Sequence, residues 1–309
     1  MPLRLPSRGL IAELAWPFGF VVDEDGWETG WVALHAPIVS PGRHELFAQL
    51  RRAGARFVGF TSDGRFPAGC GDGLDHLSVC DAWCHCFRDP ERVFPPATPL
   101  APISDSDFTD PACVSEDLFP KARRVFDVIN VSAAKGWKRE AKNWPLARAC
   151  LLQLAGALKL SCMAVGIEED EQLARAGIAC VPELPWSDLM AQLASARLLL
   201  VASVDDASPR ILAESLCLDT PVLVNSAILG GWKYVNAFTG SFFTDEHDVV
   251  EGAARCLRGR FHSHAWFAAN HGPINAGRRL RRLLSALDPS LARHDRLQLK
   301  AHLSATGTH

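Results

Sequence analysis

Five consecutive apolar residues, Leu198 to Ala202, with Val204 close behind, leave no polar face on the segment they form. Such a run is stable as a strand only when both of its sides are covered. It ends in a polar turn, Asp205-Asp206-Ala207-Ser208-Pro209, after which an amphipathic helix carries Ile211, Leu212, Leu216 and Leu218. Asp219 and Thr220 break that helix, and Pro221-Val222-Leu223-Val224-Asn225 reads as a second strand. Strand, helix and strand in about 30 residues is a βαβ unit. Open α/β sheets bind ligands in the loops beyond the carboxyl ends of their strands.

The same alternation runs through most of the chain. Segments 31–35 and 56–61 read as strands around a helix at 44–53. Segments 125–131, 160–166 and 178–181 alternate with helices at 145–158, 168–176 and 186–196. This predicts an α/β protein with a mostly parallel sheet covered on both faces. A proline-rich, acidic stretch from Pro95 to Asp107 marks a boundary. The expected division is residues 1–115, 116–265 and a terminal segment of helices and tail, 266–309. Within that tail, Leu291 to His309 has few apolar anchors and is expected to be peripheral.

With 309 residues and a net charge near −3, the chain has ample core and no general attraction for DNA or acidic membranes. Its ten cysteines lie singly in apolar segments or in the cluster Cys80, Cys84 and Cys86. No signal-like segment is read at the start, so free thiols in a reducing, cytoplasmic setting are expected. Cys70, His76, Cys80, Cys84, His85 and Cys86 lack the paired C-x2-C spacing of common structural zinc sites and read as buried groups. Residues 149–167 are interrupted by Gln153 and Lys159, so no transmembrane segment is expected. Arg278, Arg279, Arg281 and Arg282 read as the solvated face of a packed helix, not a nucleic-acid site.

The chemistry is concentrated in three loops. Asp206 and Glu214 flank the start of the helix after the buried strand, where Ser208 can cap and Pro209 suits the first turn. A carboxylate there can bond a ribose diol, and helix N–H groups can hold a diphosphate. Lys135, Lys138, Arg139 and Lys142 follow the strand at 125–131, and Arg210 opens the helix; any of them can neutralise a phosphate. Gly230-Gly231 follows the strand ending at Asn225 and permits close backbone approach. No GxxxxGK[ST] or convincing GxGxxG is present, which argues against a P-loop ATPase and a standard dinucleotide oxidoreductase; no G-x-S-x-G elbow is present either.

Residues 203–243 resemble the C-terminal domain of retaining glycosyltransferases of the two-domain GT-B type, family 4-like. That family shows a glutamate, seven residues, a second glutamate, then a strand and a glycine-bearing loop. Here the pattern stands as Asp206, seven residues, Glu214, then PVLVN, Gly230-Gly231 and Gly240-Ser241-Phe242-Phe243. The resemblance implies a GT-B-like fold: two Rossmann-like domains facing each other across a cleft, the N-terminal one short. It implies transfer of a hexosyl group, with retention, from a UDP-, GDP- or ADP-hexose to an acceptor hydroxyl. Glu214 would meet the donor ribose and Asp206 the sugar. Lys138 and its basic neighbours would meet the diphosphate, and a first-domain histidine would lie near the sugar: His35 first, then His85, then His76. No cofactor or metal is expected, because Asp105-Ser106-Asp107 has the D-x-D form but stands in the proline-rich stretch. A nucleotide-sugar epimerase or hydrolase and a noncatalytic nucleotide- or carbohydrate-binding protein are the alternatives. A homo-oligomer is compatible with the sequence.

Overall fold

The computed structural model describes residues 14, 16–68, 74–120, 125–132 and 136–300. The chain forms two compact units, one of residues 1–108 with 273–309 and one of residues 109–272.

The first unit begins with a hairpin, β1 (Phe18–Asp23) and β2 (Glu28–Leu34), paired antiparallel. There follow α1 (Pro41–Arg52), β3 (Arg56–Phe60), the short α2 (His76–Val79), β4 (Ala82–Cys84) and β5 (Leu100–Ala101). Strands β2 to β5 are parallel neighbours in that order. β1 is not evident from the sequence, because Trp16, Pro17 and Gly19 blur its alternation.

The second unit runs β6 (Phe126–Val131), α3 (Trp137–Ala141), α4 (Trp144–Leu158), β7 (Cys162–Val165), α5 (Glu171–Arg175) and β8 (Ala179–Val181). It continues through α6 (Trp186–Ala194), β9 (Ala196–Val201), α7 (Arg210–Cys217), β10 (Val222–Asn225) and β11 (Gly240–Phe243). It closes with α8 (Val249–Arg258) and α9 (Ser263–Asn270). All six strands are parallel, in the order β8-β7-β6-β9-β10-β11. This is the Rossmann order 3-2-1-4-5-6, whose switch point lies between β6 and β9.

The buried run at 198–202 explains the layers. Leu199 and Val201 pack on one face with Leu193 of α6, Leu212 of α7 and Phe267 of α9. Leu198 and Leu200 pack on the other face with Leu151 of α4, Leu173 of α5 and Val249 of α8. Successive strand residues point to opposite faces, so a strand without polar positions needs helices on both.

After α9 the chain returns to the first unit with α10 (Gly272–Ser285) and β12 (Leu297–Lys300). Leu280, Leu283 and Leu284 pack against Val21, Trp31, Ala33, Val58 and Phe60. β12 pairs antiparallel with β1, from Phe20 opposite Lys300 to Asp23 opposite Leu297. The expectation of a peripheral tail is therefore corrected for residues 291–300: Leu291 and Leu297 are core residues. Leu303 lies outside the described residues. Among the described residues, no helix is long and apolar enough to cross a membrane.

The arginines of α10 hold the fold together. Arg278 makes a double contact with Asp295, Arg281 donates to the carbonyls of Ala292 and His294, and Arg279 lies 3.6 Å from the buried Asp107. Cys80, Cys84 and Cys86 are buried thiols; Cys70 lies outside the described residues. Burial raises the thiols of Cys150, Cys162 and Cys256 to about 12.

Candidate functional site

Three segments meet at the carboxyl edge of the second unit's sheet. The first is the turn after β9. Its conformation is set by the loop that follows β10: Leu229 N–H donates to the Val204 carbonyl at 2.8 Å, and Gly230 N–H to the Asp206 carbonyl at 2.9 Å. A Cβ at Gly230 would stand 1.9 Å from the Ala207 carbonyl oxygen. Gly231 has φ +76°, and a Cβ there would meet Pro209 at 2.6 Å and Leu212 at 2.8 Å. The close approach these glycines permit is thus to the protein's own 206–209 turn.

Helix α7 opens directly from this turn. Pro209 stands at its cap position and makes no side-chain cap hydrogen bond. The expected caps are corrected accordingly: Ser208 lies one residue before the cap position, and Pro209 one before the first turn. A proline there leaves the helix's leading N–H groups without a side-chain acceptor of its own.

Asp206 and Glu214 each have a partner far away in sequence. The Lys142 ammonium, between α3 and α4, lies 2.6 Å from Asp206 Oδ2, and both side chains are largely enclosed. Glu214 is only 6% exposed. The indole N–H of Trp186, in the first turn of α6, donates to its Oε1 at 2.9 Å. A buried carboxylate needs such donors to remain tolerable in the interior. Trp186 itself is 43% exposed and meets the edge of Phe119 at 5.6 Å. The sequence reading gave Trp186 only a place at a helix start. The available signal was that an indole N–H can only donate, just beyond a strand end.

The other basic candidates fall differently. Arg139 and Arg210 are exposed, with the Arg139 guanidinium 5.8 Å from the Trp144 ring centroid. Lys138 lies on α3, in a stretch read from sequence as loop. Lys135 lies outside the described residues. Next to β6, Ser132 is buried, and among the described residues its Oγ has no hydrogen-bond partner.

In the first unit, His35 follows β2 directly and is 8% exposed. Its ring is stacked between Trp16 and Phe60, at 5.6 and 4.9 Å. Nδ1 lies 3.2 Å from Asp105 Oδ1, outside hydrogen-bond geometry, so the contact is mainly one of charge. Burial lowers the affinity of His35 for a proton, but the Asp105 charge outweighs it and the net shift is upward. Asp107 accepts from Ser104 N–H at 2.8 Å and is fully buried. The two carboxylates of the D-x-D segment are thus each engaged within the fold. His85 is buried beyond β4, and His76 accepts from Ile38 N–H at 3.4 Å. Among the described residues, no three His, Cys, Asp or Glu side chains form a metal-ligand group.

Neither a family model nor a curated protein sequence matches the chain. Solved structures do. Trehalose-6-phosphate synthase OtsA superposes with TM-score 0.58 at 12% identity, over 84% of this chain and 71% of that one. Anabaena HepE in complex with UDP-glucose gives 0.56 at 12%, over 83% and 78%. The fold is GT-B. The pneumococcal O-GlcNAc transferase GtfA, in complex with UDP and GlcNAc, matches at 0.55 and 11% identity over 81% of this chain, which spans only 54% of GtfA. A Listeria monocytogenes protein described as a UDP-N-acetylglucosamine 2-epimerase matches at 0.52 and 14%, over 84% and 75%. At these identities the likeness concerns the fold.

Proposed function

We propose that this GT-B protein is a glycosyltransferase that moves a hexosyl group from a nucleotide sugar to an acceptor hydroxyl. The observation that carries the reading is the position of Asp206 and Glu214. They flank the start of α7, beyond the strand that borders the switch point of a Rossmann-ordered sheet. Trp186 holds Glu214 in place through Oε1, and the carboxylate would meet a ribose diol. Basic groups after β6 and the leading N–H groups of α7 would stabilise the charge that develops on the departing diphosphate. UDP is the first base to test, because HepE and GtfA were crystallised with UDP-glucose and with UDP.

Retention rests on the resemblance of residues 203–243 to retaining enzymes; there the leaving phosphate would help remove the acceptor proton. The test is incubation with UDP-glucose, UDP-N-acetylglucosamine and their GDP and ADP counterparts, with and without a panel of sugar acceptors. The expected result is acceptor-dependent release of one nucleoside diphosphate, with the product's anomeric proton showing the donor's configuration by NMR. The likeness to the Listeria protein favours one second reading, epimerisation, in which nucleotide sugar is converted with no acceptor present.

A further inference from the structure

We propose that Asp206 is the displaceable counter-ion of the donor diphosphate site: it holds Lys142 until a phosphate takes its place on binding. The inference rests on the glycosyltransferase reading and deepens it, because it gives Asp206 a role toward the phosphate in place of the sugar contact that the resemblance implies.

Lys142 belongs to the connection after β6, and Asp206 to the turn after β9. β6 and β9 are the neighbours between which the strand order reverses, so the ion pair spans the switch point itself. The two residues are 64 positions apart and 2.6 Å from each other. Among the candidate cations whose side chains are described, Lys142 is the one enclosed at this edge; Arg139 and Arg210 are exposed. A second polar group at the edge, the buried Ser132 Oγ, is without a partner among the described residues and has hydrogen-bonding capacity to offer.

The residue type completes the argument. An anion arriving at this ammonium meets a carboxylate already in place, so binding must replace one negative partner with another. Like charges brought together in a partly enclosed site repel, and the repulsion lowers affinity. The turn does not depend on the carboxylate: Gly230 N–H donates to the Asp206 main-chain carbonyl, which any residue supplies. Neutralising the side chain therefore changes the charge and leaves the turn's backbone bond intact.

The experiment is calorimetric titration of UDP and, separately, inorganic pyrophosphate into wild type, Asp206→Asn, Lys142→Ala and the double variant at one pH and salt concentration. Asp206→Asn is expected to bind both anions about fivefold to tenfold more tightly, and Lys142→Ala about tenfold more weakly. The gain from Asp206→Asn should vanish when Lys142 is absent. Unchanged or weaker UDP and pyrophosphate binding by Asp206→Asn, with wild-type binding intact, would overturn the proposal. If Asp206→Asn left UDP and pyrophosphate affinity unchanged and weakened UDP-glucose, titrated alongside them, Asp206 would be a sugar contact and the proposal would be overturned. Asp206→Ser serves as the second neutral variant should Asp206→Asn not fold, with thermal melting as the check. Absence of UDP binding by every folded variant would instead overturn the donor-site reading on which the proposal stands.

Discussion

His35 shows how a single residue's surroundings set its charge. Burial favours the neutral ring, and Asp105 at 3.2 Å reverses that preference. A histidine that binds its proton more tightly when folded contributes stability that is fully present below its unfolded pKa, near 6.5, and is lost as pH rises through the folded value. Asp105→Asn removes the charge and leaves the burial, so His35 should then resist protonation and the sign should reverse. Urea midpoints measured from about pH 5.5 to about pH 8.5 should show this contribution falling with pH in wild type and rising in the variant. Parallel profiles for the two proteins would contradict the assignment. At this scale the sequence showed which groups carry charge but not their partners. Asp206 and Glu214 were legible because a polar turn and a helix start surround them. Lys142 and Trp186 are 64 and 28 residues from the carboxylates they hold, and no local pattern encodes such contacts.

Among the elements, the loop after β10 and the turn after β9 behave as one piece. Gly230→Ala would drive a Cβ into the Ala207 carbonyl, a backbone atom that cannot swing aside. Overpacking of this kind costs about 1–3 kcal/mol. By contrast, Gly156 in the exposed last turn of α4 has open space around its would-be Cβ, and alanine there should stabilise by about 0.5–1 kcal/mol. Urea denaturation of the two variants should move the midpoint in opposite directions, with UDP affinity reduced only in Gly230→Ala. Equal, small shifts would show that the loop does not clamp the turn. Most helices and parallel strands were legible from period and from apolar runs. β1 was missed because its neighbours are aromatic, proline and glycine. β12 was missed because Leu297 and Leu299 are a short alternation that gains meaning only beside β1.

At the scale of the molecule, regular alternation of strand and helix predicted an α/β chain; the Rossmann order of the second unit is seen in the structure, because alternation fits other doubly wound orders equally. The return of α10 and β12 to the first unit was not legible. It is secured by contacts such as the Trp31 indole N–H on Asp288, 257 residues away, and by Leu280, Leu283 and Leu284 against the sheet. Apolar periodicity showed that α10 buries one face but not which sheet receives it. The basic face of α10 finds its partners in Asp295, Asp107 and the carbonyls of residues 292 and 294. The central claim is that the second unit's switch-point edge binds a nucleoside diphosphate through Glu214. Calorimetric titration of UDP, GDP and ADP into wild type and Glu214→Ala tests it most directly. The account predicts saturable binding of one nucleotide, UDP first, weakened about tenfold or more by the substitution, a loss of at least about 1.4 kcal/mol. Binding of none of the three, or equal affinity in both proteins, would contradict it.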